Sequence, residues 1–391
     1  VTLIERGALG GTCTNDGCVP TRVLAKAARL ARDARQFERY GLTPAAPEVD
    51  FRRLLDRAHE VVYAVHEKKQ LLSHLEAAGI AVVAERGAAS FVDAHTVQLE
   101  DGAQLRADRF VLCAGGHARR LAIPGGDLAL THSDIWTLQK LPKSVAIIGA
   151  AATGCQLASI LNIFGAEVHL LDLAPQILPV EDASTANYVR AAFDRQGVRV
   201  VTGIEGVTAI EQRGKEQVLQ YRVDGEACTL PVENVIQAVG WPGNAEALNV
   251  AAAGMETVRS YVAVNDHLQS SVPHIYAAGD ITGRMMLVQS AGYEARIAAE
   301  NAVLGNDQRY AHHVVPHGGF TDPEYGSVGL TERQAAAEHA IAVAEIAYAD
   351  LDRAVIDERT EGMCKLIVAR ESGALLGAHV VGEQALEIVH M

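Results

Sequence analysis

The segment that decides the fold is Val145-Ala146-Ile147-Ile148-Gly149-Ala150-Ala151-Ala152-Thr153-Gly154, with Glu167-Val168-His169-Leu170-Leu171-Asp172 behind it. The first four residues are all apolar and read as a strand buried on both faces. The turn that follows leads into a helix expected to run to about Phe164, where Gly165 breaks it. The second apolar run closes on an acid, Asp172, 23 residues beyond Gly149. Strand, glycine turn, helix, strand and terminal acid make a βαβ unit of the length that binds dinucleotides. The pyrophosphate sits on the helix N-terminus, and the acid takes the ribose 2′-hydroxyl. Gly149, Ala151 and Gly154 hold the fingerprint positions, with an alanine in the middle; a plain βαβ scaffold is the alternative. No Arg or Lys follows Asp172 closely enough to receive a 2′-phosphate, so NADH is favoured over NADPH.

Downstream, a helix is expected near Thr185–Gln196, with strands near Val198–Thr202, Val207–Glu211, Val218–Arg222 and Val235–Val239. Gly240-Trp241-Pro242-Gly243-Asn244 closes this unit. His274-Ile275-Tyr276-Ala277-Ala278-Gly279-Asp280 reads as a strand ending at Gly-Asp. Its carboxylate either accepts from a cofactor hydroxyl or is a turn aspartate. From about His312 the chain mixes strands (Gly326–Val328, Ala342–Ala347, Cys364–Ala369, Leu376–Val381) with a helix at Thr331–His339, an α+β pattern. It stops at Glu387-Ile388-Val389-His390-Met391, inside a helical pattern.

Upstream, Val1-Thr2-Leu3-Ile4-Glu5 reads as a buried parallel strand ending in an acid. No glycine turn precedes it. Either Glu5 is an ordinary strand-end acid, or a first strand, turn and helix are missing. Gly10-Gly11-Thr12-Cys13-Thr14-Asn15-Asp16-Gly17-Cys18-Val19-Pro20-Thr21-Arg22 sets two cysteines, with four residues between them, before a helix that Pro20 can open. A helix N-terminus favours a thiolate, because its first amides lack internal partners. Gly10, Gly11 and Gly17 allow the backbone close to a flat or phosphate-bearing ligand. The expectation is a redox dithiol lying against a cofactor. Val23, Ala27, Leu30, Ala34 and Phe37 line one helix face, ended by Gly41 and Pro44. A longer helix is expected from about Phe51 to Ala78, with Gly79 as its stop. Short strands follow at Ile80–Ala84, Ala89–Val92, Thr96–Leu99 and Gln104–Leu105. Phe110-Val111-Leu112-Cys113-Ala114-Gly115-Gly116 is then a strand running into a close-approach glycine pair.

The length of 391 residues allows two to four domains, and an apolar content of 49% is ordinary for a globular chain. No apolar run reaches the roughly 18 residues of a membrane span, and Val1–Glu5 lacks the basic start of a secretory signal. The net charge of −14 argues against a nucleic-acid partner. Of six cysteines, only Cys13 and Cys18 are neighbours in sequence. The other four read as buried small hydrophobes, no zinc spacing is evident, and the pattern suits a reducing cytoplasm.

Taken together, these motifs resemble the FAD-dependent pyridine nucleotide–disulfide oxidoreductases, the family of dihydrolipoamide dehydrogenase, glutathione reductase and mercuric reductase. The resemblance spans essentially the whole chain. Gly10–Arg22 is similar to its redox-disulfide signature, Val145–Asp172 to its NAD(P)-binding half, and Ile275–Asp280 to its second FAD motif. Phe320-Thr321-Asp322-Pro323-Glu324 through Ser327–Thr331 resembles the start of its dimer-interface domain. The implied fold class is α/β, with two Rossmann-like FAD- and NAD-binding domains plus a C-terminal α+β dimer-interface domain, truncated at both ends. The implied domains are 1–118 (FAD, first part), 119–246 (NAD), 247–310 (FAD, second part) and 311–391 (dimerisation).

By that resemblance Cys18 faces the flavin and Cys13 meets the substrate. Glu5, Gly11, Thr12, Arg22, Gly115 and Asp280 hold FAD, while Gly149, Ala151, Gly154, Gln156, Asp172 and Gly240 hold NAD; no metal is implied. The implied activity passes electrons between NAD(H) and a small-molecule or lipoyl-type disulfide in a cytoplasmic homodimer, most like dihydrolipoamide dehydrogenase. A mercuric reductase-like enzyme and an inactive NAD-binding fragment are the alternatives. Three departures stand out. Arg22 replaces the family's usual Lys near flavin N5, and Gln156 replaces that lysine's Glu partner. The pair leaves positive charge near N5 and favours reduced, anionic flavin. The family's first FAD turn and its C-terminal His-Glu pair have no counterpart here; His312 and His390 do not match, and the catalytic His is unassigned.

Overall fold

The structure is a computed structural model that describes residues 1–43, 47–311 and 314–391. The chain divides into two compact units. One comprises Val1–Pro20, Glu60–Arg119 and Gly240–His312; the other comprises Thr21–His59, Arg120–Val239 and His313–Met391.

In the first unit Thr2–Glu5 pairs in parallel with Ala81–Ala84, and Phe110–Leu112 with Ile275–Ala277. An antiparallel meander of Ala89–Asp93, Thr96–Leu99 and Gln104–Arg106 packs Phe91 and Val97 into a core with Leu112, Val262, Ile275 and Ile281. The helix Val288–Leu304 buries Ile297, Ala298 and Ala302 against Leu268 and Tyr276.

The second unit holds a five-stranded sheet in the order Arg199–Thr202, Glu167–Asp172, Ser144–Ile148, Asn234–Gln237, Leu130–Thr131. Every neighbouring pair is parallel. Such strands have no wet face, which is why Val145, Ala146 and Ile147 in one and Val168, Leu170 and Leu171 in the next are all fully buried. Each of the larger side chains contributes about 1.5–3 kcal/mol by leaving water. The helix Ala152–Ile163 lies on this sheet through Leu157, Ala158, Ile160 and Leu161. Gly206–Arg213, Glu216–Val223 and Glu226–Val232 form an antiparallel meander. A second five-stranded sheet, antiparallel throughout, runs His317–Gly319, Tyr325–Gly329, Leu375–Val381, Met363–Ala369, Ile341–Ala347.

The expected βαβ unit is present, its second strand spanning Glu167–Asp172 as read from the sequence. The helix Glu332–Glu338 starts from Thr331 through a reciprocal capping box with Gln334. Four expectations change. The long helix from Phe51 is two, Phe51–Lys69 and Leu71–Ala77, because Gln70 takes a left-handed conformation at φ 45°. The helix after the cysteines begins at Cys18, with Pro20 inside its first turn, where a missing N–H costs nothing. It ends at Ala34, and a short 3₁₀ turn, Phe37–Tyr40, carries the chain to Gly41; Pro44 lies outside the described residues, as does His312. Finally, Cys113 is exposed at a strand end and not buried. No helix among the described residues is long and apolar enough to cross a membrane.

Candidate functional site

The redox turn is a short helix, Gly11–Asn15, that hands directly over to the helix Cys18–Ala34. Gly10 and Gly11 take φ of 107° and 67°, a region closed to most side chains. Gly17 is compulsory for a different reason: a Cβ there would lie 2.9 Å from the Thr12 carbonyl oxygen. Cys13 is half-buried on the short helix, and Cys18 is exposed as the first residue of the longer one. A helix start presents amides without helical partners, an environment that favours a thiolate. Thr12 is exposed beside Cys13.

Elsewhere in the same unit two parallel strands end together. Phe110–Leu112 runs into exposed Cys113 and into Gly115, which has φ 63° and open space where a Cβ would point. The adjacent Ile275–Ala277 runs into Gly279-Asp280. The Asp280 carboxylate accepts a 2.8 Å hydrogen bond from the Trp241 indole, and burial pushes its acidity toward higher pH against that bond. Behind it, fully buried Glu294 accepts from the Gly279 amide at 2.7 Å, while its other oxygen has no hydrogen-bond partner among the described residues. Burial raises its pKa too. Glu5 closes its strand with an acceptor bond from the Gly7 amide at 2.9 Å. An open glycine after one strand end, a carboxylate after the other and an orphaned buried oxygen behind it fit a hydroxyl-rich flavin nucleotide.

The nucleotide turn lies in the second unit. A Cβ on Gly149 would stand 2.3 Å from the Ala238 carbonyl oxygen, and one on Gly154 would stand 1.8 Å from that of Gly149, so both positions require glycine. Ala151 has φ −76° and ψ −171°, ordinary extended backbone that an alanine adopts without strain. Asp172 accepts hydrogen bonds from the Ala150 amide in the turn and from the Ala174 amide at 2.7 Å. The acid thus closes the turn from the neighbouring strand.

Arg22 and Gln156 meet on one residue. The Arg22 guanidinium lies 5.0 Å from the centre of the Phe320 ring, and the Gln156 side-chain oxygen accepts from the Phe320 amide at 3.1 Å. Glu387 stands 4.0 Å from Arg22, so the positive charge expected there is partly offset. Gly240 and Arg22 fall on opposite sides of the division from the groups with which the sequence grouped them. Gly240 belongs with the redox turn, and Arg22 with Gly149 and Asp172.

Sequence reasoning missed Trp241, Glu294 and Phe320. In the sequence Trp241 reads only as part of a closing turn, and Phe320 only as part of a motif. Glu294 sits in a helix whose apolar positions are interrupted by Ser290 and Glu294 itself, both fully buried. The second unit also contains a buried polar chain. Glu181 takes hydrogen bonds from Ser327 at 2.6 Å and His317 at 3.1 Å, and Ser327 in turn meets His379 at 3.1 Å. Burial pushes Glu181 up, but the His317 and Ser327 hydrogen bonds outweigh it and hold it below its usual range; the same contact raises His317. Glu324 is pushed up to about 7 by burial, against the opposing pull of Arg29. Among the described residues no group of three or more His, Cys, Asp or Glu could hold a metal ion.

A flavin-type nucleotide cradle and a dithiol in one unit, with a second nucleotide turn in the other, define a two-nucleotide dithiol oxidoreductase. Residues 1–295 match the pyridine nucleotide-disulphide oxidoreductases, and residues 315–391 match the dimerisation domain of that family. The chain belongs to this family, whose members use FAD and NAD(P)H. Mercuric reductase from Bacillus cereus is 31% identical over 394 residues, covering all of this chain and 62% of that protein. Dihydrolipoyl dehydrogenase from Zymomonas mobilis is 31% identical over 405 residues, covering all of this chain and 84% of that protein. The HOCl-induced flavoprotein disulfide reductase RclA from Escherichia coli matches over the whole chain and 86% of its own, with a TM-score of 0.85 and 25% identity.

Proposed function

We propose that this protein passes electron pairs between NAD(H) and a disulfide substrate through Cys13 and Cys18, as a cytoplasmic homodimer. The observation that carries the reading is the redox turn, with Cys13 on a short helix and Cys18 opening the next. Glu5, Gly11, Thr12, Gly115 and Asp280 would hold FAD, with Arg22 near its reactive edge, and Gly149, Ala151, Gly154, Gln156, Asp172 and Gly240 the nicotinamide nucleotide. Bound FAD supplies a two-electron carrier between nicotinamide and dithiol. The rest is thiol chemistry. The Cys13 thiolate attacks one substrate sulfur, forming a mixed disulfide and releasing the other sulfur as a thiolate. Cys18 then attacks the Cys13 sulfur, which expels the second substrate thiol and closes the Cys13–Cys18 disulfide. Two electrons and, after protonation, two protons reach the substrate; dithiol oxidation runs the same steps backward.

A lipoyl-type disulfide is the favoured substrate. Mercuric ion is the second reading, supported by a mercuric reductase at the same 31% identity as the dihydrolipoyl dehydrogenase. Anaerobic NADH titration of the purified, FAD-loaded protein tests the proposal. Flavin bleaching with a new long-wavelength thiolate–flavin band supports it, and a chain that neither retains FAD nor reacts with NADH overturns it.

Asp172 gives a sharper expectation. Its charge repels a 2′-phosphate, while its oxygens also brace the turn through Ala150 and Ala174. Asp172→Asn retains one oxygen acceptor and removes the charge. The expected result is a fall of about tenfold in KM for NADPH, about 1.4 kcal/mol, with a smaller loss for NADH. Steady-state kinetics with both nucleotides measures it.

A further inference from the structure

We propose that His66 and Lys69, in the last turn of the helix Phe51–Lys69, are positioning residues that set the redox equilibrium of the Cys13–Cys18 pair; this rests on reading those cysteines as a redox couple. The contacts fall on the linker between them. Asn15 donates its side-chain N–H groups to the carbonyl oxygens of Ala8 at 3.0 Å and Leu9 at 3.3 Å. Carbonyls can only accept, so the amide nitrogen must face them, and the Asn15 oxygen is left facing His66 Nε2 at 2.7 Å. The His66 proton therefore sits on Nε2, and the ring donates to Asn15. Next to it Thr14, only 1% exposed, receives the Lys69 ammonium on its hydroxyl at 2.9 Å. Gly10 makes room for this arrangement, since a Cβ there would lie 3.0 Å from His66 Cε1.

Only Thr14, Asn15, Asp16 and Gly17 separate the two cysteines, and the first two are held from this one helical turn. A held linker keeps each sulfur at high effective concentration for the other, and so favours the disulfide. Releasing it should favour the dithiol.

The test equilibrates the FAD-loaded protein in glutathione buffers of set potential, quenches with acid, alkylates, and reads the mass of the peptide bearing Cys13 and Cys18. His66→Ala is expected to shift the equilibrium about tenfold toward the dithiol, about 30 mV. His66→Gln, which restores an N–H for Asn15, is expected to return to within about twofold of wild type. Lys69 is exposed, so Lys69→Met spares the fold, and a shift of about threefold in the same direction is expected. A wild-type equilibrium in both His66→Ala and Lys69→Met overturns the proposal and leaves the redox couple standing. Cysteines that stay unlinked at every potential overturn the redox couple, and this proposal with it.

Discussion

Cys18→Ser is expected to abolish disulfide reduction, with a loss of at least about a thousandfold in kcat. NADH oxidation by an artificial acceptor such as ferricyanide should survive. The argument starts from ionisation. A thiol at a helix start has its anion stabilised by unpartnered amides, whereas a serine hydroxyl stays protonated at neutral pH in the same place. Serine also cannot close a disulfide, so the second attack has no nucleophile and the electron pair has no exit. Cys13→Ser should fail equally in turnover and differently in its spectrum. Cys18 would remain to give the long-wavelength thiolate–flavin band, and the band should vanish only in Cys18→Ser. Anaerobic spectra of the two variants beside ferricyanide and disulfide assays distinguish the roles; a band that survives in Cys18→Ser and vanishes in Cys13→Ser reverses the assignment.

What the sequence revealed follows from how local each signal is. The strand runs around Ile147 and Leu170 were legible because a strand covered on both faces must be apolar throughout. The redox turn was legible because its glycines and cysteines are contiguous. The break at Gln70 was not, since neither Gly nor Pro marks it and a single left-handed residue suffices. The pairing of Trp241 with Asp280 spans 39 residues, and that of His66 with Asn15 spans 51. Nothing in either neighbourhood announces such a contact, which only the folded chain creates. Ala151 shows a different limit: the sequence marks a departure from the glycine fingerprint, and the structure adds only that the backbone there is one that any residue adopts. Glu294 was hidden because a fully buried carboxylate breaks the apolar periodicity by which a helix is found.

The largest stability effect should come from Lys365→Met. Lys365 lies on a strand of the antiparallel sheet with its side chain 3% exposed, 2.7 Å from Asp182, which is 2% exposed, and 2.6 Å from Glu332. Asp182 also accepts from the Ser184 amide at 3.0 Å, capping the helix Ala183–Gln196, and from the Glu332 amide at 2.9 Å. Removing the ammonium leaves that carboxylate charged, buried and held by amides alone. Breaking a buried pair from one side costs about 3–5 kcal/mol. Asp182→Asn keeps an oxygen for the amides without the charge, so adding it to Lys365→Met should recover part of the loss. In a double-mutant cycle the two changes should therefore be strongly non-additive.

The pH dependence gives an independent check of sign. Burial raises Asp182, but the Lys365 hydrogen bond and the two amides outweigh it, so its pKa lies below the ordinary 3.8. Burial lowers Lys365, but Asp182 and Glu332 outweigh it, so its pKa lies above the ordinary 10.5. The Asp182 contribution is therefore fully present above 3.8 and lost as pH falls through the lower folded value, while that of Lys365 is present below 10.5 and lost as pH rises past the higher one. Around neutral pH, inside those limits and above the pKa of the unpartnered Asp182, the wild-type advantage over Lys365→Met should be flat. On acidification it should shrink, beginning as the pH falls through the raised pKa of Asp182 in the variant, because a carboxyl without its ammonium partner protonates earlier and a neutral buried acid costs less than a charged one. Denaturant unfolding of both proteins from pH 3 to pH 8 measures the difference, and a gap that widens on acidification would refute the assignment of Lys365 as the partner of a charged Asp182.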